Sequence, residues 1–128
     1  MKKSIRTPIA VVRGLGAAHE GTHHFIMQRV TAIVMIPLAF WFIYSLLVLA
    51  TRADSANVSV WLASEFNAVI LILFLAALFY HAKLGIQVII EDYIHCSCLK
   101  AAALLLNGFF MLAGALISII AVLKLHLM

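Results

Sequence analysis

The stretch AVILILFLAALFYHAKLGIQVII, residues 68–90, decides the fold. It runs without an acid or a proline and carries a single lysine, Lys83. A helix rises about 1.5 Å per residue, so roughly 20 apolar residues cross the ~30 Å hydrocarbon core of a bilayer. This run is long enough. It lacks the two-residue alternation of a barrel strand and far exceeds the roughly ten residues such a strand uses.

Working outward, two more runs of the same kind flank it, residues 30–50 and 99–123, each bounded by ionisable or turn-forming residues. The whole chain has 128 residues, 66% hydrophobic and 11% charged. Its mean hydropathy is +1.13, well above what a soluble core of this length requires. The expectation is an all-α integral membrane protein with three transmembrane helices in one domain, 1–128, with no internal repeat and no low-complexity tract.

Orientation follows from the basic residues. Lys2, Lys3, Arg6, Arg13 and Arg29 precede the first span, whereas Arg52 stands alone in the next connection and Lys124 near the end. The bias of lysine and arginine toward the cytoplasm predicts a cytoplasmic N-terminus, with residues 91–100 on the same side and residues 51–67 outside. The opening MKKSIRTP is charged like a secretion signal, but no apolar stretch follows before Val30, so Met1 reads as the mature start. No Arg- and Ser-rich presequence is seen, which points to a bacterial inner membrane. The net charge of +4 is a product of this topology. No basic cluster interleaves with aromatics, so lipid rather than nucleic acid is the expected environment.

Local signals fill in the rest. Residues 1–24 read as an arm in which Gly14, Gly16 and Gly21 break any helix. Pro37 predicts a kink near Ile33, and Trp61 suits the headgroup layer. Ser64 or Asn67 is expected to cap the second helix. Cys96 and Cys98, with His95, fall in the cytoplasmic connection, where thiols stay reduced and a fourth metal ligand is lacking, so solvated loop residues are expected. In the third span Ala101, Ala102, Gly108, Gly114 and Ala115 permit close helix contact, and Asn107 suits an interhelical hydrogen bond.

The chemistry is carried by the end of the opening stretch and its continuation. His81 lies nine residues, about 14 Å, from the end of the run at Ile90. An imidazole at that depth must be hydrogen-bonded, line water or bind a metal. Ala77 and Gly85, one turn to either side, clear room for a flat macrocycle or, equally, for a packed helix. Asp92 falls eleven residues on, within about 20° of the same face and roughly 16 Å nearer the cytoplasm, with Tyr93 beside it. A carboxylate and a phenol there suit a quinone, which takes up protons as it is reduced, or simply mark a helix end. Lys83 begins some 12 Å inside, and its stem can snorkel toward lipid phosphates or a subunit contact.

The motifs GTHHFIMQRVTAI, residues 21–33, and HAKLGIQVIIEDY, residues 81–93, resemble the smaller hydrophobic membrane-anchor subunit of bacterial succinate dehydrogenase. The likeness extends to length, three-span topology and charge bias. It implies an anchor that is not itself catalytic, bundled with a second, cytochrome b anchor and docking an iron–sulfur and a flavoprotein subunit on the cytoplasmic side. It also implies a role in the tricarboxylic acid cycle and electron transport. By the same resemblance His81 is an axial ligand of haem b iron, with the second anchor supplying the other. Tyr93 hydrogen-bonds ubiquinone, Asp92 shares that pocket, and Arg29 and His23 lie near the haem propionates and the quinone entrance.

Lys83 departs from the neutral or aromatic residue expected at its position, although it points about 200° away from His81 on an ideal helix. A fumarate reductase anchor is the nearest functional neighbour. Two readings from other classes compete: a small proton-coupled transporter relaying through His81, Lys83 and Asp92, and a purely structural scaffold. Transporters usually show internal repeats or broken spans, and neither is visible.

Overall fold

The computed structural model describes residues 19–51 and 56–127. Lys2, Lys3, Arg6, Arg13 and Arg52, which carry most of the orientation signal, lie outside the described residues, as do Gly14 and Gly16. Among the described residues four helices follow in order: α1 His19–Thr51, α2 Ala56–Ala63, α3 Glu65–Tyr93 and α4 Ser97–Leu127. No strand occurs among the described residues. α1, α3 and α4 are each long and apolar enough to cross a membrane. The expected all-helical, three-span architecture is present.

The helices overrun the apolar runs that predicted them. α1 begins at His19 rather than Val30, and Gly21 lies inside it with nothing within 4 Å of where a Cβ would stand. The expectation that Gly21 breaks the helix is therefore wrong. A helical glycine costs only about 1 kcal/mol, and once a long helix is nucleated each further residue adds a hydrogen bond. Pro37 is also accommodated within α1. α3 likewise runs on to Tyr93, so His81 stands twelve residues, roughly 18 Å, from its end.

At one end of the bundle α2 wedges against the long helices. Trp61 stacks on Trp41 of α1, centroids 5.5 Å apart. Leu62, Ala68 and Val122 form a buried cluster joining α2, α3 and α4. His126 donates its Nδ1–H to the Leu62 carbonyl at 2.7 Å, since a carbonyl can only accept. Ser64 does occupy the N-cap of α3, with extended backbone but no side-chain hydrogen bond. Asn67 does not cap: its Nδ2 donates to Trp61 O at 2.9 Å, tying α3 to α2. Glu65 in the first turn complements the helix dipole.

At the other end only residues 94–96 separate α3 from α4. Lys100 Nζ donates to Glu91 O at 2.9 Å, placing a cation on the carbonyl-rich end of α3. Cys98 thus belongs to the first turn of α4 rather than to a loop. Both cysteines are free and exposed. No group of three or more His, Cys, Asp or Glu side chains suited to a metal ion gathers among the described residues.

α3 is the middle helix, packing on α4 along much of its length and on α1 across its other side. Phe42 of α1 stacks on Phe74 of α3 at 5.0 Å. On α4, Gly114 lets Phe79 of α3 come close, and Gly108 faces the Lys83 stem. Asn107 makes the expected interhelical bond, Nδ2 to Lys83 O at 3.0 Å. Ala101 and Ala102, expected in the contact, are exposed instead. With one helix flanked by two, little is enclosed: Phe40, Leu105 and Ile117 are each 70% exposed or more. Lipid or other chains must cover such surface.

Candidate functional site

His81 faces α1. Its Nδ1 lies 2.9 Å from Thr31 Oγ1, and the ring is half-buried between the two helices. Thr31 Oγ1 also lies 2.8 Å from Met27 O and 3.1 Å from Gln28 O, the back-bond that threonine commonly makes within a helix. His81 Nε2 has no hydrogen-bond partner among the described residues.

Gly85 lies one turn from His81, and a Cβ on it would stand 3.6 Å from the Gln28 side-chain amide. Within this chain the space beside Gly85 is thus met by the flexible Gln28 side chain of α1. Thr31 meets His81 and Gln28 meets Gly85, so the antiparallel register puts His24, a further turn along α1, level with residues 88 and 89 of α3. His24 Nε2 is buried without a hydrogen-bond partner. His24, Gln28 and Thr31 make a polar stripe that the sequence reading passed over. Its signal was the i, i+4, i+7 spacing inside GTHHFIMQRVTAI.

The other candidates lie toward one end. Arg29 is exposed, its guanidinium 5.2 Å from the Phe25 ring centroid, a one-turn cation–π contact. His23 is exposed. Asp92 and Tyr93 are both exposed at the end of α3, Tyr93 to 79%. Their neighbour Glu91 is engaged instead, accepting from Gln87 Nε2 at 2.8 Å. The structure brings His81 and α1 together but joins neither Arg29 nor His23 by a hydrogen bond to His81, Asp92 or Tyr93 among the described residues.

Lys83 lies on the opposite side of α3 from His81. It lines a groove of about 590 Å³ between α3 and α4, along with Phe79, Tyr80, Leu105 and Gly108. A relay running His81, Lys83, Asp92 has no connecting contacts among the described residues.

Three spanning helices with little interior of their own and their polar groups presented outward at one end define a class: a multi-pass membrane protein whose surface lipid or other chains must cover. Comparison with known proteins narrows it. The model of the succinate dehydrogenase/fumarate reductase transmembrane subunit family matches residues 3–122, and the chain belongs to that family. It is 32% identical over 123 residues to the succinate dehydrogenase hydrophobic membrane anchor subunit of Rickettsia bellii, covering 95% of this chain and 97% of that one. The subunit of the same name from Rickettsia felis is 36% identical over 95 residues, 73% of this chain and 78% of its own. That of Paracoccus denitrificans is 29% identical, with 85% of each chain covered. The chain is a multi-pass inner-membrane protein of the membrane-anchor kind.

Proposed function

We propose that the chain anchors a succinate:quinone oxidoreductase to the bacterial inner membrane, holds one side of a haem b through His81 and contributes Asp92 and Tyr93 to the quinone site. Oxidation of succinate belongs to the flavoprotein subunit, passed on through the iron–sulfur subunit, and a second anchor supplies the other axial ligand. The N-terminus and the connection between α3 and α4 face the cytoplasm.

The observation that carries this reading is the state of His81. The hydroxyl contact alone is what a structural histidine makes. A second ring nitrogen without a hydrogen bond among the described residues, on a half-buried ring that is not closed over by its own chain, is open to a metal-ligating role. The donor set therefore fits an axial haem ligand. When bound, the haem supplies a one-electron redox centre within the membrane. Arg29, exposed and already held on an aromatic face, suits carboxylate pairing with propionates, and His23 lies two turns away on the same helix. At the headgroup boundary the exposed Tyr93 hydroxyl is left to donate a hydrogen bond to a ubiquinone, and the exposed Asp92 carboxylate to take up a proton from water and pass it on as the quinone is reduced.

The test is a reduced-minus-oxidised optical spectrum of the co-purified assembly, wild type beside His81→Ala. A b-type signal that disappears in the variant is expected. A chain that purifies without three companion polypeptides, or His81→Ala with an unchanged spectrum, removes the reading.

A further inference from the structure

We propose that Thr31 is a positioning residue for His81, fixing it as the tautomer with Nδ1–H and keeping Nε2 as the lone-pair nitrogen. This rests on the haem reading above. The assignment comes from counting protons. Thr31 Oγ1 has one hydrogen and three close neighbours: Met27 O at 2.8 Å, Gln28 O at 3.1 Å and His81 Nδ1 at 2.9 Å. Two of these are carbonyl oxygens, which only accept. A hydroxyl turned away from both would leave bare lone pairs facing each other at 2.8 Å. The hydrogen therefore goes to the α1 carbonyls, and the oxygen presents a lone pair to His81. Nδ1 must then be the donor, and in a neutral imidazole the remaining lone pair sits on Nε2.

The consequence reaches beyond orientation. A ligating histidine whose other N–H is hydrogen-bonded is held in one ring orientation and made a more basic ligand, and loss of that partner typically costs about 10- to 100-fold in affinity for the metal. A more basic axial ligand favours the oxidised iron. Removing the hydroxyl should raise the haem reduction potential as well as weaken retention. Thr31 lies on α1 and His81 on α3, so the ligand is set by the packing of two helices rather than by its own turn.

The test uses the complete four-subunit assembly with Thr31→Ser and Thr31→Ala, which differ only by the hydroxyl, and Thr31→Val, which keeps the volume. Haem per complex and the haem midpoint potential are read by optical redox titration, with His81→Ala as control. Expected are near-normal haem and potential in Thr31→Ser, and in Thr31→Ala and Thr31→Val a raised potential with about 10- to 100-fold weaker haem retention. Should Thr31→Val fail to assemble, the Ser and Ala pair decides alone. Equal potentials in Ser and Ala overturn the proposal while leaving haem ligation standing. Retention of an unchanged haem by His81→Ala overturns ligation itself, and this inference with it.

Discussion

Phe79 lies across Gly114 so closely that a Cβ on residue 114 would stand 2.6 Å from its Cε1 and 3.1 Å from its Cζ. Real side chains do not approach to 2.6 Å, so any larger residue must push the Phe79 ring aside, off its rotamer or along the groove it lines. Gly114→Ala should destabilise the helix pair by about 1–3 kcal/mol, the usual cost of overpacking. Phe79→Leu in the same chain should recover part of it. Reversible unfolding in mixed micelles measures both, and strict additivity of the two changes would show that the residues are not coupled.

Asn107 makes the opposite case. It is 8% exposed, its Nδ2 bonds Lys83 O, and its Oδ1 is buried without a partner. Interhelical hydrogen bonds in membranes average about 0.6 kcal/mol, whereas an unpaired buried polar group costs about 1–3 kcal/mol. Asn107→Leu should therefore be neutral or stabilising in the same unfolding measurement. A loss above about 2 kcal/mol would mean that the Asn107 hydrogen bond to Lys83 O outweighs the cost of the buried oxygen.

At the other end of the bundle, His126→Ala should free the last turn of α4 from α2. The loss of one hydrogen bond is worth about 1 kcal/mol, felt locally. Because Trp61 of α2 stacks on Trp41, tryptophan emission should report the loosening, and an unchanged spectrum with unchanged hydrogen exchange near Leu62 would count against it.

Tyr93→Phe should separate function from stability. The side chain is 79% exposed, so unfolding should shift by no more than about 0.5 kcal/mol. With the quinone reading, the apparent KM for ubiquinone should rise in succinate–quinone reductase assays of the assembled complex. An unchanged KM argues that the phenol is only a helix-end residue.

The three spans were legible because a bilayer imposes a length that composition reveals directly. Helix ends were not. A backbone leaving the hydrocarbon can stay helical or unwind, and neither Gly21 nor the polar residues from His19 to Arg29 force the second outcome. His81 could be singled out because imidazole is costly between apolar helices. Thr31 could not, since a threonine in such a helix ordinarily satisfies itself on its own carbonyls, and its meeting with a residue fifty positions away depends on how α1 seats on α3. The room beside Gly85 was legible as room, but its filling by Gln28 was a matter of register.

The 33 residues of α1 make a rod of about 50 Å, some 20 Å longer than the hydrocarbon it crosses. Its surplus turns are a crankshaft rather than a tether. Adding one residue between His24 and Thr31 would advance the far portion by about 1.5 Å and swing it by about 100°, carrying His23 and His24 to another side of the molecule while His81 kept its seat. Length between those two points should therefore be far less forgiving than side-chain identity.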